Sequence, residues 1–405
     1  MIGDGWDAEP ATRPGEFEPD PRDARRRRVM VVTGSRAEFG LLRPVMDAVR
    51  DHHALELLVV AAGAHLIPPA ETFREVKNAY PVADSIPMQK PGPATRLDDA
   101  EALGRGIARL ARSLASLRPD WVVLLGDRIE AFAAAAAASV AGVAVAHLHG
   151  GDRAEGIADE AIRHAVTKLA HLHLAATQAS AERILRMGEK PEHVRVIGSP
   201  AIDAIDDTPP LPDAQWHALG PPDAVMLLHP LARHPEEEEA AASEVIRGTL
   251  ESLPRHARLV ALAPNADPGR EGIERAIGAF ESAGRLRRAP HMARGQFVGL
   301  LKRLASTRGV LVGNSSAGLI EAAAIRLPVV NVGPRQNGRE RAGNVVDSPR
   351  ESAETVAHAL RRAVALDLAN LRHPYGEGRA GPLAAAALAE TDPHSPAILR
   401  KRNTY

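Results

Sequence analysis

The chain has 405 residues, 45% of them hydrophobic and 25% charged, with a formal net charge of −1. That near-neutrality excludes a broad field steering it to nucleic acid or membrane, and 3% aromatics leave no stacking platform for single strands. The absence of cysteine excludes disulfides, thiolate metal sites and a cysteine nucleophile. The basic residues comprise 44 Arg and 6 Lys, which together with the many Ala and Pro points to coding bias rather than a phosphate-binding surface. No apolar run reaches the roughly 20 residues of a membrane helix, and the N-terminus has no signal-like apolar segment. The expected location is the cytoplasm.

Residues 1–28 are polar, aperiodic and rich in Gly, Pro, Asp and Arg. They read as a disordered tail whose basic run, Arg25 to Arg28, is a solvated flank or an interaction tail. From Val29 the pattern changes to short apolar runs alternating with segments of helical period. Strands are expected at 29–32, 55–62, 121–125, 143–148, 172–177 and 194–198, with helices over 39–49, 98–117, 129–140, 159–170 and 179–187. Residues 203–223, with Asp-Asp-Thr-Pro-Pro-Leu-Pro and Gly-Pro-Pro-Asp, break the alternation and read as a linker. Beyond it come strands at 224–228, 258–262, 309–312 and 329–332 and helices at 236–252, 269–283, 296–306, 316–325, 353–365 and near 382–390. This alternation predicts α/β architecture: two doubly wound Rossmann-like domains, 29–202 and 224–380, with a cleft between them. Residues 381–405 form a terminal helix and tail. Ligands of such sheets bind at the carboxyl ends of the strands, so the turns that follow strands are where chemistry is expected.

Five such turns carry unusual polar content. Thr33-Gly34-Ser35-Arg36 lets backbone approach a ligand at a helix N-terminus, and Arg36 can pair with a phosphate. Gly126-Asp127-Arg128-Ile129-Glu130 follows an apolar strand, and Asp127 reads either as a helix cap or as a catalytic carboxylate. Residues 147–160 hold His147, His149, Asp152, Asp159 and Glu160. The two histidines share one face of a strand end, so a metal pair is an alternative, and Asp159 and Glu160 also suit a helix start. Leu228-His229-Pro230 opens the second half. Gly313-Asn314-Ser315-Ser316-Ala317-Gly318 offers N–H and O–H donors for a phosphate, or simply an N-cap. Glu321, inside the following helix, could accept hydrogen bonds from a ribose diol.

Taken in order, these turns resemble the UDP-N-acetylglucosamine 2-epimerase family, and within it the hydrolysing branch of sialic-acid-type biosynthesis. The matching segments are 33–40, 125–130, 147–152, 159–173, 198–200, 229–230, 264–267, 313–321, 333–339 and 373–378. The resemblance covers about residues 29–395 and implies a glycosyltransferase-B-like fold whose last helix crosses back to the N-terminal domain. It implies hydrolysis of UDP-N-acetylglucosamine, or a closely related UDP-linked N-acetyl sugar, to UDP and the free 2-epimer (N-acetylmannosamine) through a 2-acetamidoglucal. It assigns acid–base work to Asp127, Asp159 and one of Asp152 or His149, with His229 on the diphosphate side. It gives the diphosphate to Arg36, Arg335, Ser315 and Ser316, within motifs that also contain Gly40 and Arg128, and uridine or ribose to Asn265 and Glu321. No metal or other cofactor is needed, although Mg²⁺ activation fits the chemistry. A homodimer or homotetramer is implied, with no nucleic-acid or membrane partner. Two departures stand out: Asp152 where the family usually has Glu, and His149 where some relatives have Glu. Ala37, in place of a proline, and His149-Gly150-Gly151, in place of Glu-Ala-Gly, favour the hydrolysing branch over the non-hydrolysing one. A glycosyltransferase of the same fold, the non-hydrolysing epimerase and a silent nucleotide-sugar-binding protein are the other readings.

Overall fold

The computed structural model describes residues 25–68, 72–92, 95–154, 159–265, 267–290, 292–402 and 404. The expected tail up to residue 24 lies outside them. The first half alternates β1 (Arg27–Thr33), α1 (Arg36–Asp51), β2 (Leu55–Ala62), α2 (Phe73–Ala79), β3 (Val82–Ile86), α3 (Arg96–Leu117) and β4 (Trp121–Leu125). It continues with α4 (Ile129–Val140), β5 (Ala144–Leu148), α5 (Asp159–Leu169), β6 (Leu172–Ala175), α6 (Gln178–Arg186) and β7 (Val194–Val196). The second half runs α7 (Asp213–Ala218), β8 (Ala224–Leu227), α8 (Pro235–Ser252), β9 (Leu259–Leu262), α9 (Arg270–Ser282), β10 (Arg287–Ala289), α10 (Arg294–Ser306) and β11 (Val310–Gly313). There follow α11 (Glu321–Ile325), β12 (Val329–Val332), β13 (Val345–Ser348), α12 (Ala353–Ala363), α13 (Ala380–Glu390) and α14 (Pro396–Leu399).

The strands form two parallel sheets, ordered β3-β2-β1-β4-β5-β6-β7 and β10-β9-β8-β11-β12-β13. Each is doubly wound, and the expected fold class is the one found. Central strands such as β4 and β8 are buried along their whole length, as apolar runs between two helical layers must be. The strand order reverses between β1 and β4 and between β8 and β11. At such a switch point the two flanking connections leave toward opposite faces of the sheet and open a crevice at the strands' carboxyl ends.

The elements that periodicity missed are edge strands and short helices. β3, β10 and β13 are edge strands carrying exposed polar residues, so they lack the apolar run of a central strand. The stretch read as a bare linker contains α7, whose Trp216 is buried with Leu211 against Leu300 and Leu304. The helix expected over 316–325 is split: Ser316–Gly318 is a 3₁₀ turn and α11 starts at Glu321. A Cβ on Gly318 would lie 2.9 Å from a Val329 methyl, so the turn packs closely on β12.

The basic run is tied to the fold: Arg25 and Arg26 are exposed, and Arg27 and Arg28 open the first strand. β1 begins at Arg27, two residues earlier than expected. Arg26 Nε donates to the Leu55 carbonyl at 2.6 Å, and Arg25 pairs with Asp120 at 2.8 Å. Arg27 donates to the last carbonyls of α13, those of Leu388 at 3.1 Å and Thr391 at 2.9 Å among them. Helix α13 lies against α1, burying Ala384 and Leu388 in the core with Leu42 and Met46. Its N-terminal N–H groups at Ala380 and Gly381 donate to Asp203 at 3.0 and 2.7 Å. The chain thus returns to the first sheet after completing the second. Among the described residues no helix is long and apolar enough to cross a membrane.

Because Arg27 places a charge of the favourable sign on helix-end carbonyls, of which Leu388 also accepts the Trp121 indole N–H, Arg27→Ala is expected to cost about 1–3 kcal/mol. Urea unfolding reads this directly, and an unchanged midpoint would remove the clamp from the account.

Candidate active site

The turns after β1, β4, β5, β8 and β11 face one another across a single cleft, open to solvent at its mouth. Ser35 and Arg36 enter from the first turn, Asp127 and Arg128 from the second and His149 from the third. His229, Asn265, Ser315, Ser316, Glu321 and Arg335 face them from the second half. Two expected residues stand behind the wall: Asp152 is 1% exposed and backs His149, and Gly40 underlies Arg294, whose Cδ would be 3.1 Å from a Cβ there. Asp159 opens α5, but its side chain lies outside the described residues.

Asp127 does not cap α4. The helix begins after Arg128 with no side-chain cap, and Asp127 instead accepts a hydrogen bond from Arg163 Nη2. Arg163 is buried on α5 and also donates to the His149 carbonyl at 3.2 Å. Burial, then the nearby Arg339 and Arg335, pull this guanidinium's pKa well below its usual value. Cationic crowding of that kind is relieved by an anion in the cleft. Sequence reasoning passed over Arg163, Arg294, Gln336 and Arg339. The available signal was an arginine one turn beyond Glu160, and the arginine and glutamine inside the 333–339 segment.

The two histidines of the third turn do not form a metal pair. β5 ends at Leu148, and His149 has φ 60°, so the alternation that would put them on one face stops. His147 is fully buried, with Nε2 donating to the Gly126 carbonyl at 2.7 Å and Nδ1 3.2 Å from Thr167 Oγ1. Burial pushes its pKa down to about 3, leaving it neutral and structural. Among the described residues no group of three or more His, Asp and Glu could hold a metal.

His149 sits in a chain of its own. Nδ1 is 2.8 Å from Asp152 Oδ2, and Nε2 is 2.9 Å from Ser199 Oγ. Asp152 also accepts from Ser180 Oγ at 2.7 Å and from Arg339 Nη2 at 3.4 Å. Burial alone would raise the Asp152 pKa, but His149, Arg339 and the Ser180 hydroxyl outweigh it and hold it down at about 2. Ionised Asp152 can only accept, so His149 Nδ1 carries a proton toward it, which leaves Nε2 as the nitrogen that can exchange one. The turn needs Gly151, with φ 72°, because a Cβ there would lie 2.3 Å from the Ser180 carbonyl.

On the second half, Asn314 braces His229 twice: its Oδ1 accepts from the His229 N–H and its Nδ2 donates to the His229 carbonyl, both at 2.8 Å. The Asn265 N–H donates to His229 Nδ1 at 3.2 Å, which assigns the ring hydrogen to Nε2. Ser315 caps the 3₁₀ turn, accepting from the Ala317 N–H at 3.4 Å, and still lines the cleft. Arg335 and Gln336 both donate to the Asn314 carbonyl, at 3.3 and 3.0 Å. Two expected ligand groups already have protein partners: Arg36 pairs with Glu75 at 2.5 Å, and Glu321 with Arg294 at 3.0 Å. The halves also meet directly, through Arg128–Asp267 at 3.4 Å and Arg183–Glu340.

Two facing doubly wound sheets with a ligand cleft between their switch points define a glycosyltransferase-B-like protein. The model of the family described as UDP-N-acetylglucosamine 2-epimerase matches residues 47–389, and the chain belongs to that family. It is 34% identical over 387 residues to the Legionella pneumophila protein named UDP-N,N'-diacetylbacillosamine 2-epimerase (hydrolyzing), covering 94% of this chain and 100% of that one. It is 29% identical over 350 residues to a Neisseria meningitidis UDP-N-acetylglucosamine 2-epimerase, covering 84% and 88%. The fold is similar to that of Methanocaldococcus jannaschii UDP-GlcNAc 2-epimerase, solved with UDP-GlcNAc and UDP. That match has a TM-score of 0.76 at 18% identity and covers 90% of this chain and 100% of that one.

The depressed Asp152 carboxylate stabilises the fold above its ordinary value of 3.8, and that contribution disappears as pH falls through about 2. The stability gap between the wild type and Asp152→Asn should therefore shrink by about 2 kcal/mol from pH 5 to pH 2, measured by urea unfolding. A gap independent of pH would mean that Asp152 is not held as an anion.

Proposed function

We propose that the protein is a hydrolysing 2-epimerase. It converts UDP-N-acetylglucosamine, or a closely related UDP-linked N-acetyl sugar, and water to UDP and the free 2-epimeric sugar. The observation that carries this is the facing of two unlike walls across one cleft. One wall holds Asp127 with Arg163 and the Asp152–His149–Ser199 chain, and the other holds His229, Ser315, Ser316 and Arg335. The hydrolysing relative at 34% identity, matched end to end, supports release of free sugar over return of a UDP-linked epimer. It also puts a 2,4-diacetamido sugar beside UDP-N-acetylglucosamine as a first substrate to try.

The chemistry divides between the walls. Arg335, Ser315 and Ser316 hold the diphosphate with charge and hydrogen-bond donors, with Arg36 at the α1 N-terminus. Asn265 and Glu321 take the nucleoside, Glu321 sharing Arg294. His229, with its hydrogen on Nε2, faces the diphosphate and assists departure of UDP. On the sugar side a base removes the C2 proton as the C1–O bond to UDP breaks, and the electron pair becomes the C1–C2 double bond. Water then adds its oxygen at C1, and C2 receives a proton on the opposite face. Asp127, Asp159 and His149 Nε2 are the acid–base groups. Asp152, buried behind the ring, acts through His149 by holding its Nδ1 proton, which supports His149 as the acid–base member of the pair.

Proton NMR in heavy water, with UDP-N-acetylglucosamine and a UDP-linked 2,4-diacetamido sugar, tests the reading. Free UDP and a free 2-epimer carrying one deuterium at C2 are expected. A UDP-linked epimer without free sugar, or turnover only with an added acceptor, would overturn it. Asp127→Asn should lower kcat at least roughly 100-fold with UDP affinity retained, and near-normal turnover would strip Asp127 of its role. Arg335→Ala should weaken UDP binding in calorimetry, and unchanged affinity would move the diphosphate elsewhere.

A further inference from the structure

Two buried carboxyl groups behind the first turn have no part in the chemistry above. Glu38, in the first turn of α1, is 5% exposed and lines the cleft beside Ser35 and Arg36. Its Oε2 accepts the Gly34 N–H at 2.7 Å. Glu130, on α4, is fully buried and packed against the same glycine: a Cβ on Gly34 would lie 2.6 Å from Glu130 Cγ, and one on Gly63 would lie 2.1 Å from its Oε1. The β1–α1 turn is therefore pressed between two carboxyl groups, and only glycines leave room for both.

We infer that Glu38 serves the nucleotide site as a neutral carboxylic acid, leaving the positive end of α1 to the diphosphate. The inference rests on the reading that a UDP-sugar occupies the cleft. Helix α1 has 16 residues, and its N-terminus attracts negative charge. An ionised Glu38 there would occupy that field itself and repel the ligand's phosphates. The surroundings keep it neutral. Burial, then the facing Glu130, push its pKa up to about 8 against the Gly34 N–H.

No neighbouring group reverses this. Arg128, from the β4–α4 turn, is shared between Glu130 at 3.3 Å and Asp267 at 3.4 Å. Gln89 donates to Glu130 at 3.2 Å, and Asp99 of α3 adds another carboxyl group facing Glu130. His65, following β2, is flanked by Thr33 at 3.0 Å and Thr72 at 2.6 Å, and burial, then Arg128, pull its pKa down to about 4. Arg36 is paired with Glu75, and Arg294, over Gly40, with Glu321. The proton on Glu38 is thus one that a bound anion would feel as pH rises above 7.

A ligand that binds the protonated form preferentially loses affinity about tenfold per pH unit above that group's pKa. UDP calorimetry from pH 7 to 9.5 avoids the phosphate's own ionisation near about 6. Wild-type affinity is expected to fall about tenfold between pH 7 and pH 9, while that of Glu38→Gln, neutral throughout, stays flat. Calorimetry of the wild type in two buffers of different ionisation enthalpy should also show uptake approaching one proton per UDP at pH 9. Wild-type affinity independent of pH, a parallel fall in the variant, or zero proton uptake would overturn the inference while leaving the proposed function standing. No UDP binding at pH 7 would overturn the functional reading, and this one with it.

Discussion

Asp152 is the carboxylate on which both halves of the molecule converge. From its own half it accepts from Ser180 and orients His149, and from the other it takes the guanidinium of Arg339. Burying one charge this completely is costly unless every lone pair finds a partner. Here the partners come from α6, from the turn after β5 and from the loop after β12, so the charge is tolerated only when those three segments meet. The same contact that balances the anion also holds the Nδ1 proton of a cleft-lining imidazole and brings the two walls together.

Around that point the site is crowded with cations. Arg163, Arg335 and Arg339 lie close enough that two of them depress the third. Proteins rarely gather guanidinium groups without an anion to receive. Across the cleft, Arg128–Asp267 and Arg183–Glu340 hold the halves face to face, and α13 crosses back to cover α1. The ligand-facing donors therefore sit on backbone turns braced from behind, which is what pre-organised electrostatic catalysis requires.

The central strands and long helices were legible because burial on two faces demands continuous apolar runs, and an amphipathic helix demands its period. The edge strands β3, β10 and β13 were not, since a strand with one partner tolerates polar residues. Local reading also does not reveal the distant partners of individual side chains. Arg25 to Arg28 looked like a solvent-facing run, yet Arg27 closes the end of a helix more than 350 residues away. Asp127 read as either a cap or a catalytic carboxylate, and only the fold shows that it pairs with Arg163 and does not cap α4. Arg36 and Glu321, expected as ligand groups, line the cleft with protein partners that the sequence did not show, Glu75 and Arg294.

What the chain by itself determined was the alternation of strand and helix, the positions of the polar turns after strands, and a motif order specific enough to identify the family. Those features follow from near-neighbour chemistry and from short segments. Only the tertiary structure decided which of those turns share a cleft, that Asp152 stands behind His149 rather than beside it, and that Glu38 is buried against Glu130. Each of these depends on residues far apart in sequence being forced into a low-dielectric space, where charge state and hydrogen-bond direction are set by whatever else is buried there.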